Sequence, residues 1–78
     1  MSYPYAEPRH SERARLGDAW AGCLVEIDDA IFWLTIARCR GETPHPRYAA
    51  KYLEHVRMVS EYEQRMDAMG VEYVREAA

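Results

Sequence analysis

The sequence predicts an all-α fold: an antiparallel helical hairpin with an extended N-terminal arm, dimerising into a four-helix bundle. Three observations predict it. Apolar residues recur at three- and four-residue steps over two long stretches, and the proline-rich segment GETPHP (41–46) divides them. The first stretch also contains the run AIFWLTIA (30–37), which is apolar on opposite sides of a helix at once. A chain of 78 residues makes one domain with a small core, so a helix with two apolar sides needs cover from outside the chain.

Residues 1–10 read as an extended arm punctuated by Pro4 and Pro8, carrying Tyr3, Tyr5, Arg9 and His10. Residues 11–78 form the single helical-hairpin domain. Ser11 is a candidate N-cap, and Gly17-Asp18 offers a second start, so the first helix begins at 11 or at 19 and runs to 40. A glycine inside a helix costs about 1 kcal/mol relative to alanine, which leaves one bent helix and two helices both open. Leu16, Trp20, Cys23, Leu24, Ile27, Ile31 and Leu34 make one stripe of this helix, and Val25, Phe32, Ile36 and Cys39 make a second on the opposite side. Arg38 and Arg40 close it, where the helix dipole favours cations.

The bend covers 41–46, with Thr43 as a candidate cap followed by Pro44, and the second helix covers about 46–69. Its apolar stripe is Tyr48, Tyr52, Val56, Val59, Tyr62, Met66 and Met69. Glu54, Arg57, Glu61 and Arg65 lie opposite, with Glu61 and Arg65 ordered for an i,i+4 pair. Gly70 suits the position after the helix, with Val71 as its apolar follower, and 70–78 form a short tail. Two helices joined by so short a bend fold back on each other. That pairing satisfies one stripe of the first helix and leaves Val25, Phe32, Trp33 and Ile36 for a partner. Burying such side chains is worth about 1.5–3 kcal/mol each, so a second copy is the simplest cover. Tyr3 and Tyr5 in the arm are free to dock across that neighbour or onto a target.

Composition and charge narrow the function. An apolar fraction of 49% with 29% charged residues is that of a soluble globular chain. The window 19–37 is about as long as a bilayer span, but Glu26, Asp28 and Asp29 at its centre exclude one. MSYPYAEPRH has no apolar stretch of the secretory kind, and a cytoplasmic protein is expected. Cys23 and Cys39 on one helix lie about 24 Å apart, beyond disulfide reach, so both read as buried reduced thiols. The net charge is −3, yet 18–37 holds only acidic charges while Arg38, Arg40, Arg47 and Lys51 outweigh Glu42 in 38–51. That pattern does not suit direct nucleic-acid binding.

Candidate chemistry is sparse. Glu26 and Asp29 stand at i and i+3, as carboxylates of di-metal bundles do, and of the second helix's acids only Glu63 lies near its inward stripe. The Glu-x-x-His pattern of such sites fails: Tyr52 stands three before His55, and Glu42, three before His45, is in the bend. No metal site, cofactor or catalytic dyad is therefore expected, and the glycines at 17, 22, 41 and 70 form no phosphate loop. Nine of the ten cations are Arg, and Tyr, Trp, Met and Arg are the types enriched at interfaces.

The expected function is that of a small acidic, non-enzymatic binding protein of the regulator or inhibitor type. Phage-encoded inhibitors of host defence or nucleic-acid-processing complexes, such as anti-CRISPR proteins, have this size and character. Glu26, Asp28, Asp29, Arg38, Arg40 and Arg47 are the expected contacts to a protein or ribonucleoprotein target. Val25, Phe32, Trp33, Ile36, Tyr3 and Tyr5 are the expected oligomer interface. The competing expectations are a Mg²⁺-dependent all-α nucleotide hydrolase built on Glu26, Asp29 and Glu63, and a helical oligomer that sequesters a phosphorylated ligand at Arg38, Arg40 and Arg47.

Overall fold

The structure, a computed structural model, describes residues 11–73. The arm 1–10 with Tyr3 and Tyr5, and the end of the tail at 74–78, lie outside the described residues. The described residues form two helices, α1 (Glu12–Cys39) and α2 (Pro46–Ala68), which pack as an antiparallel hairpin. Cross-helix partners run in opposite order along the two helices: Glu12 with Arg65, Trp20 with Glu63, Asp29 with Lys51, and Trp33 with Tyr48.

α1 is a single helix that passes through Gly17 and Gly22 without a break. Ser11 caps it, its Oγ accepting the Ala14 N–H at 3.1 Å. The start at Ser11 therefore prevails over the one at Asp18: a turn already capped and packed through Leu16 outweighs the small cost of one glycine. Both helices end in the same way. At the first, Gly41 takes φ 66°, its N–H bonds the Arg38 carbonyl, and the Glu42 N–H bonds the Ala37 carbonyl at 2.9 Å. At the second, Gly70 takes φ 71° and the Val71 N–H bonds the Met66 carbonyl at 2.9 Å. Two orphan carbonyls are satisfied at each end, and only glycine reaches that backbone conformation cheaply.

The start of α2 differs from the sequence expectation at Thr43. His45 is the cap, its Nδ1 accepting the Arg47 N–H at 3.1 Å, with Pro46 at the first helical position. Of the two prolines, Pro46 is the one whose missing N–H coincides with an orphan donor. The expected Glu61–Arg65 pair is also replaced. Arg57 takes Glu61 at 2.7 Å, and Arg65 turns across the seam to Glu12 at 3.7 Å.

The seam follows sevens. On α1 the buried residues are Leu16, Cys23, Ala30 and Ala37, and on α2 they are Val59 and Met66. A strict seven-residue repeat keeps one line of each helix facing the other, as in a left-handed pair of coiled helices. Ala30 is fully buried, and with Ala37 it offers little bulk, which lets the helices approach closely near the bend. The expected stripe is thereby rotated. Trp20, Leu24, Ile27 and Leu34 flank the seam half-buried, and Ile31 is left 44% exposed. On α2, Tyr48, Tyr52 and Tyr62 are half-buried, while Val56 and Met69 at the edges of the expected stripe stay exposed. No described helix is long and apolar enough to cross a membrane.

Candidate functional site

The richest side-chain arrangement flanks the bend, on one side of the hairpin. Asp29 and Trp33 stand one turn apart on α1, and Arg47, Tyr48 and Lys51 occupy the first turns of α2. Together they line an open cleft of about 560 Å³. The rings of Trp33 and Tyr48 stack across the seam, with centroids 6.1 Å apart and planes 24° from parallel. Arg47 lies over the Tyr48 ring at 4.9 Å and donates a 2.9 Å hydrogen bond to its hydroxyl. Phe32 meets the Trp33 ring edge-on at 5.2 Å. An adjoining hollow of about 200 Å³ runs along Trp33 and Tyr48 to Ile36, Arg40 and His45. Neither Arg40 nor Arg47 has a carboxylate partner among the described residues.

Lys51 is the electrostatic centre of this side. Its Nζ pairs with both Glu26 and Asp29, the latter at 2.8 Å. The hydrogen bond from Lys51 holds the Asp29 carboxyl below the usual carboxylate range, against an opposing effect of desolvation. In return the hydrogen bonds to Asp29 and then Glu26 push the Lys51 ammonium pKa up. Lys51 also accepts at its carbonyl from His55, whose Nδ1 lies 2.8 Å away. A carbonyl only accepts, so Nδ1 carries the proton and Nε2 is left as an acceptor.

The six expected target contacts are not brought together. Glu26 and Asp29 converge on Lys51, so their charge is partly neutralised within the chain. Asp28, next in sequence, is exposed on the outer side of α1. Arg40 and Arg47 border the aromatic cleft, whereas Arg38 lies across the hairpin, where Ile31, Leu34, Thr35 and Tyr52 line a shallow hollow of about 250 Å³. Of the expected interface residues, Val25 and Phe32 are 65% and 55% exposed on the outer side of α1. Trp33 and Ile36 gain cover from Tyr48 and the bend, so the chain itself supplies part of what a partner was expected to give. Cys23 is buried as expected, but Cys39 is exposed because it falls opposite the seven-residue seam.

Glu63 does not join Glu26 and Asp29. It accepts the Trp20 indole N–H at 3.0 Å near the open end of the hairpin. Among the described residues no three His, Cys, Asp or Glu side chains gather as a metal ion needs, and the Lys51 ammonium stands where a cation between Glu26 and Asp29 would sit.

Two features were missed in the sequence. Lys51 is the lone lysine among nine arginines and faces the acidic pair across the seam, a signal available once the register is known. Leu53 lies outside the expected α2 stripe and is 67% exposed. Its position one residue past Tyr52 and three before Val56 marks a second apolar edge. No known protein family, curated protein or solved structure matches this chain.

Proposed function

We propose that this chain is a cytoplasmic, non-enzymatic docking protein that acts by binding a macromolecular partner, in the manner of a small regulator or inhibitor. One observation carries the reading: seven large apolar side chains stay exposed on the described hairpin, against six residues buried in its core. Scattered exposed apolar residues are ordinary, but a surplus over the core on two helices marks surface kept for contact. The Trp33–Tyr48 stack with Arg47 beside it supplies the aromatic and Arg types that dominate binding energy at interfaces, already held in one geometry. The charge arrangement suits a protein target, with acidic and basic groups alternating around that cleft rather than one basic sheet.

The test is affinity capture with the tagged chain from a lysate of its source, read by mass spectrometry beside a double variant, Trp33→Ala with Arg47→Ala. A specific protein or ribonucleoprotein enriched by the native chain and lost by the variant supports the reading. Equal recovery by both, or none by either, removes the cleft as the contact surface.

A second reading has its own observation. The guanidinium groups of Arg40 and Arg47, which have no carboxylate partner among the described residues, flank two aromatic rings, an arrangement that takes a phosphorylated aromatic ligand such as a nucleotide. A thermal-shift panel of nucleoside mono- and diphosphates decides it. A rise in melting temperature abolished by Arg47→Ala favours sequestration of a ligand, and a flat panel leaves macromolecular docking.

A further inference from the structure

The hairpin has a side that the aromatic cleft does not use. Ile27, Ile31 and Leu34 follow one another on α1 at steps of four and three, and Tyr52, Leu53 and Val56 continue the strip on α2. The two sets share one side of the seam, since Ile31, Leu34 and Tyr52 line the same shallow hollow. Ile31, Leu53 and Val56 are exposed, and the other three are half-buried. The strip carries no charged side chain along its length. Arg38 bounds it at the bend end and Glu63, beside Trp20, bounds it at the open end.

We infer that this strip is the surface on which a second copy of the chain packs, through a twofold axis perpendicular to the helices, to close a four-helix bundle. The inference deepens the docking reading above and rests on it: self-association covers one side and leaves the aromatic cleft on the other side for the target. Three features of the strip single out a second copy as its occupant.

The first is self-complementary charge. A perpendicular twofold lays the bend end of one copy against the open end of the other. Arg38 of each copy then meets the Glu63 end of its neighbour, twice per dimer, and the apolar centre stays neutral. A parallel arrangement would set like charges together at both ends.

The second is area. From Trp20 to Arg38 the strip runs about 27 Å at 1.5 Å per residue, and two helices span about 20 Å, giving about 500 Å² per copy and about 1,000 Å² in the pair, the least that a specific interface needs. The third is the narrowness of the core. Two helices sealed by six buried residues fall near the limit for a chain of this length, and a second layer is the usual remedy. This places Leu53, Val56 and Ile31 in the interface, and leaves Phe32 and Val25 on the outer side.

Light scattering on the full chain at about 50 μM, well above the dissociation constant of a stable dimer, reads the mass. Twice the 9.1 kDa of one chain is expected. Leu53→Glu should return it to one chain, with association weakened at least about a hundredfold, because two carboxylates enter an apolar centre. Phe32→Glu should leave the dimer intact, and Arg38→Glu should weaken it several-fold. A monomeric native chain, a dimer that survives Leu53→Glu, or a dimer broken by Phe32→Glu overturns the inference.

If Leu53→Glu unfolds the chain, the native protein decides the matter. Its melting temperature must rise with concentration, and a concentration-independent value overturns the inference. The docking reading fails separately, through capture that does not depend on Trp33 and Arg47. A monomeric chain that still captures a target through those residues removes the dimer alone.

Discussion

The indole N–H of Trp20 on α1 donates a 3.0 Å hydrogen bond to the carboxylate of Glu63 on α2, joining residues 43 apart in sequence. The Tyr73 ring sits 5.4 Å from the same indole, so Trp20 also holds the segment that follows Gly70. A bond from a neutral donor to a half-buried charge is worth about 1–2 kcal/mol net. Trp20→Phe keeps an aromatic ring beside Tyr73 but removes the donor and part of the ring area. It should cost at least that amount and lower the melting temperature by about 4–8 °C for each kcal/mol lost in a domain of this size. Glu63→Gln, which keeps an acceptor, should cost less. A melting temperature unchanged in Trp20→Phe would show that the bond does not contribute.

The contact of Lys51 with Asp29 and Glu26 makes stability depend on pH at both extremes. Asp29 titrates lower in the folded chain than when unfolded, so its contribution is complete above about pH 4 and is lost as pH falls through the lowered value. Lys51 titrates higher when folded, so its contribution is complete below about pH 10.4 and is lost as pH rises through the raised value. Urea midpoints of the native chain and of Lys51→Met should therefore differ most between about pH 5 and pH 10 and converge outside that window. The groups face solvent, so 1 M salt should narrow the gap. A difference that persists at pH 2, where both carboxylates are protonated, would show that the ion pairs are not its source.

Most of the fold was legible in the sequence, and the reasons are local. Ser11, the GETPHP break and Gly70 are boundary signals whose chemistry acts within one turn; the break and Gly70 fall within a residue or two of the reading, and Ser11 is the first of the two starts it left open. The facing line of α1 was legible only in its first half, at Leu16 and Cys23. Apolar periodicity weights large residues, so it favoured Ile27, Ile31 and Leu34 and passed over Ala30 and Ala37, which in fact line the seam. Small residues on a seven-residue repeat carry little hydropathy and a great deal of geometry. The aromatic cleft was hidden for a related reason: pairing Trp33 with Tyr48 and Lys51 with Asp29 requires the register between helices, which no local signal supplies.

The two cysteines should behave as different groups. Cys23 is buried on the seam, and burial, reinforced by the nearby Glu26 charge, pushes its thiol pKa up. Cys39 is exposed at the last residue of α1. A thiol reagent at pH 8 should modify one cysteine per chain within minutes, mapped to Cys39. Cys23 should follow only at the rate of opening, or at once in denaturant. Rapid modification of both under native conditions would mean that the seam opens at Cys23.

Ala30 is the sharpest test of the seven-residue seam. It is fully buried, on a line where Ala37 follows one heptad later. If closeness of the helices near the bend depends on these methyl groups, a larger side chain must push α2 away. Ala30→Leu then disturbs the neighbours that depend on the same spacing, the Trp33–Tyr48 stack and the Lys51–Asp29 pair. Overpacking of this kind costs about 1–3 kcal/mol, despite the added apolar area and the good helix propensity of leucine. Ala21→Leu, at an exposed position of the same helix, should stay within about 0.5 kcal/mol of the native chain. The measurement is a pair of urea titrations with Trp fluorescence as the probe. A stabilised Ala30→Leu would mean that the seam holds a gap at Ala30, and the close approach of the helices would have to be abandoned.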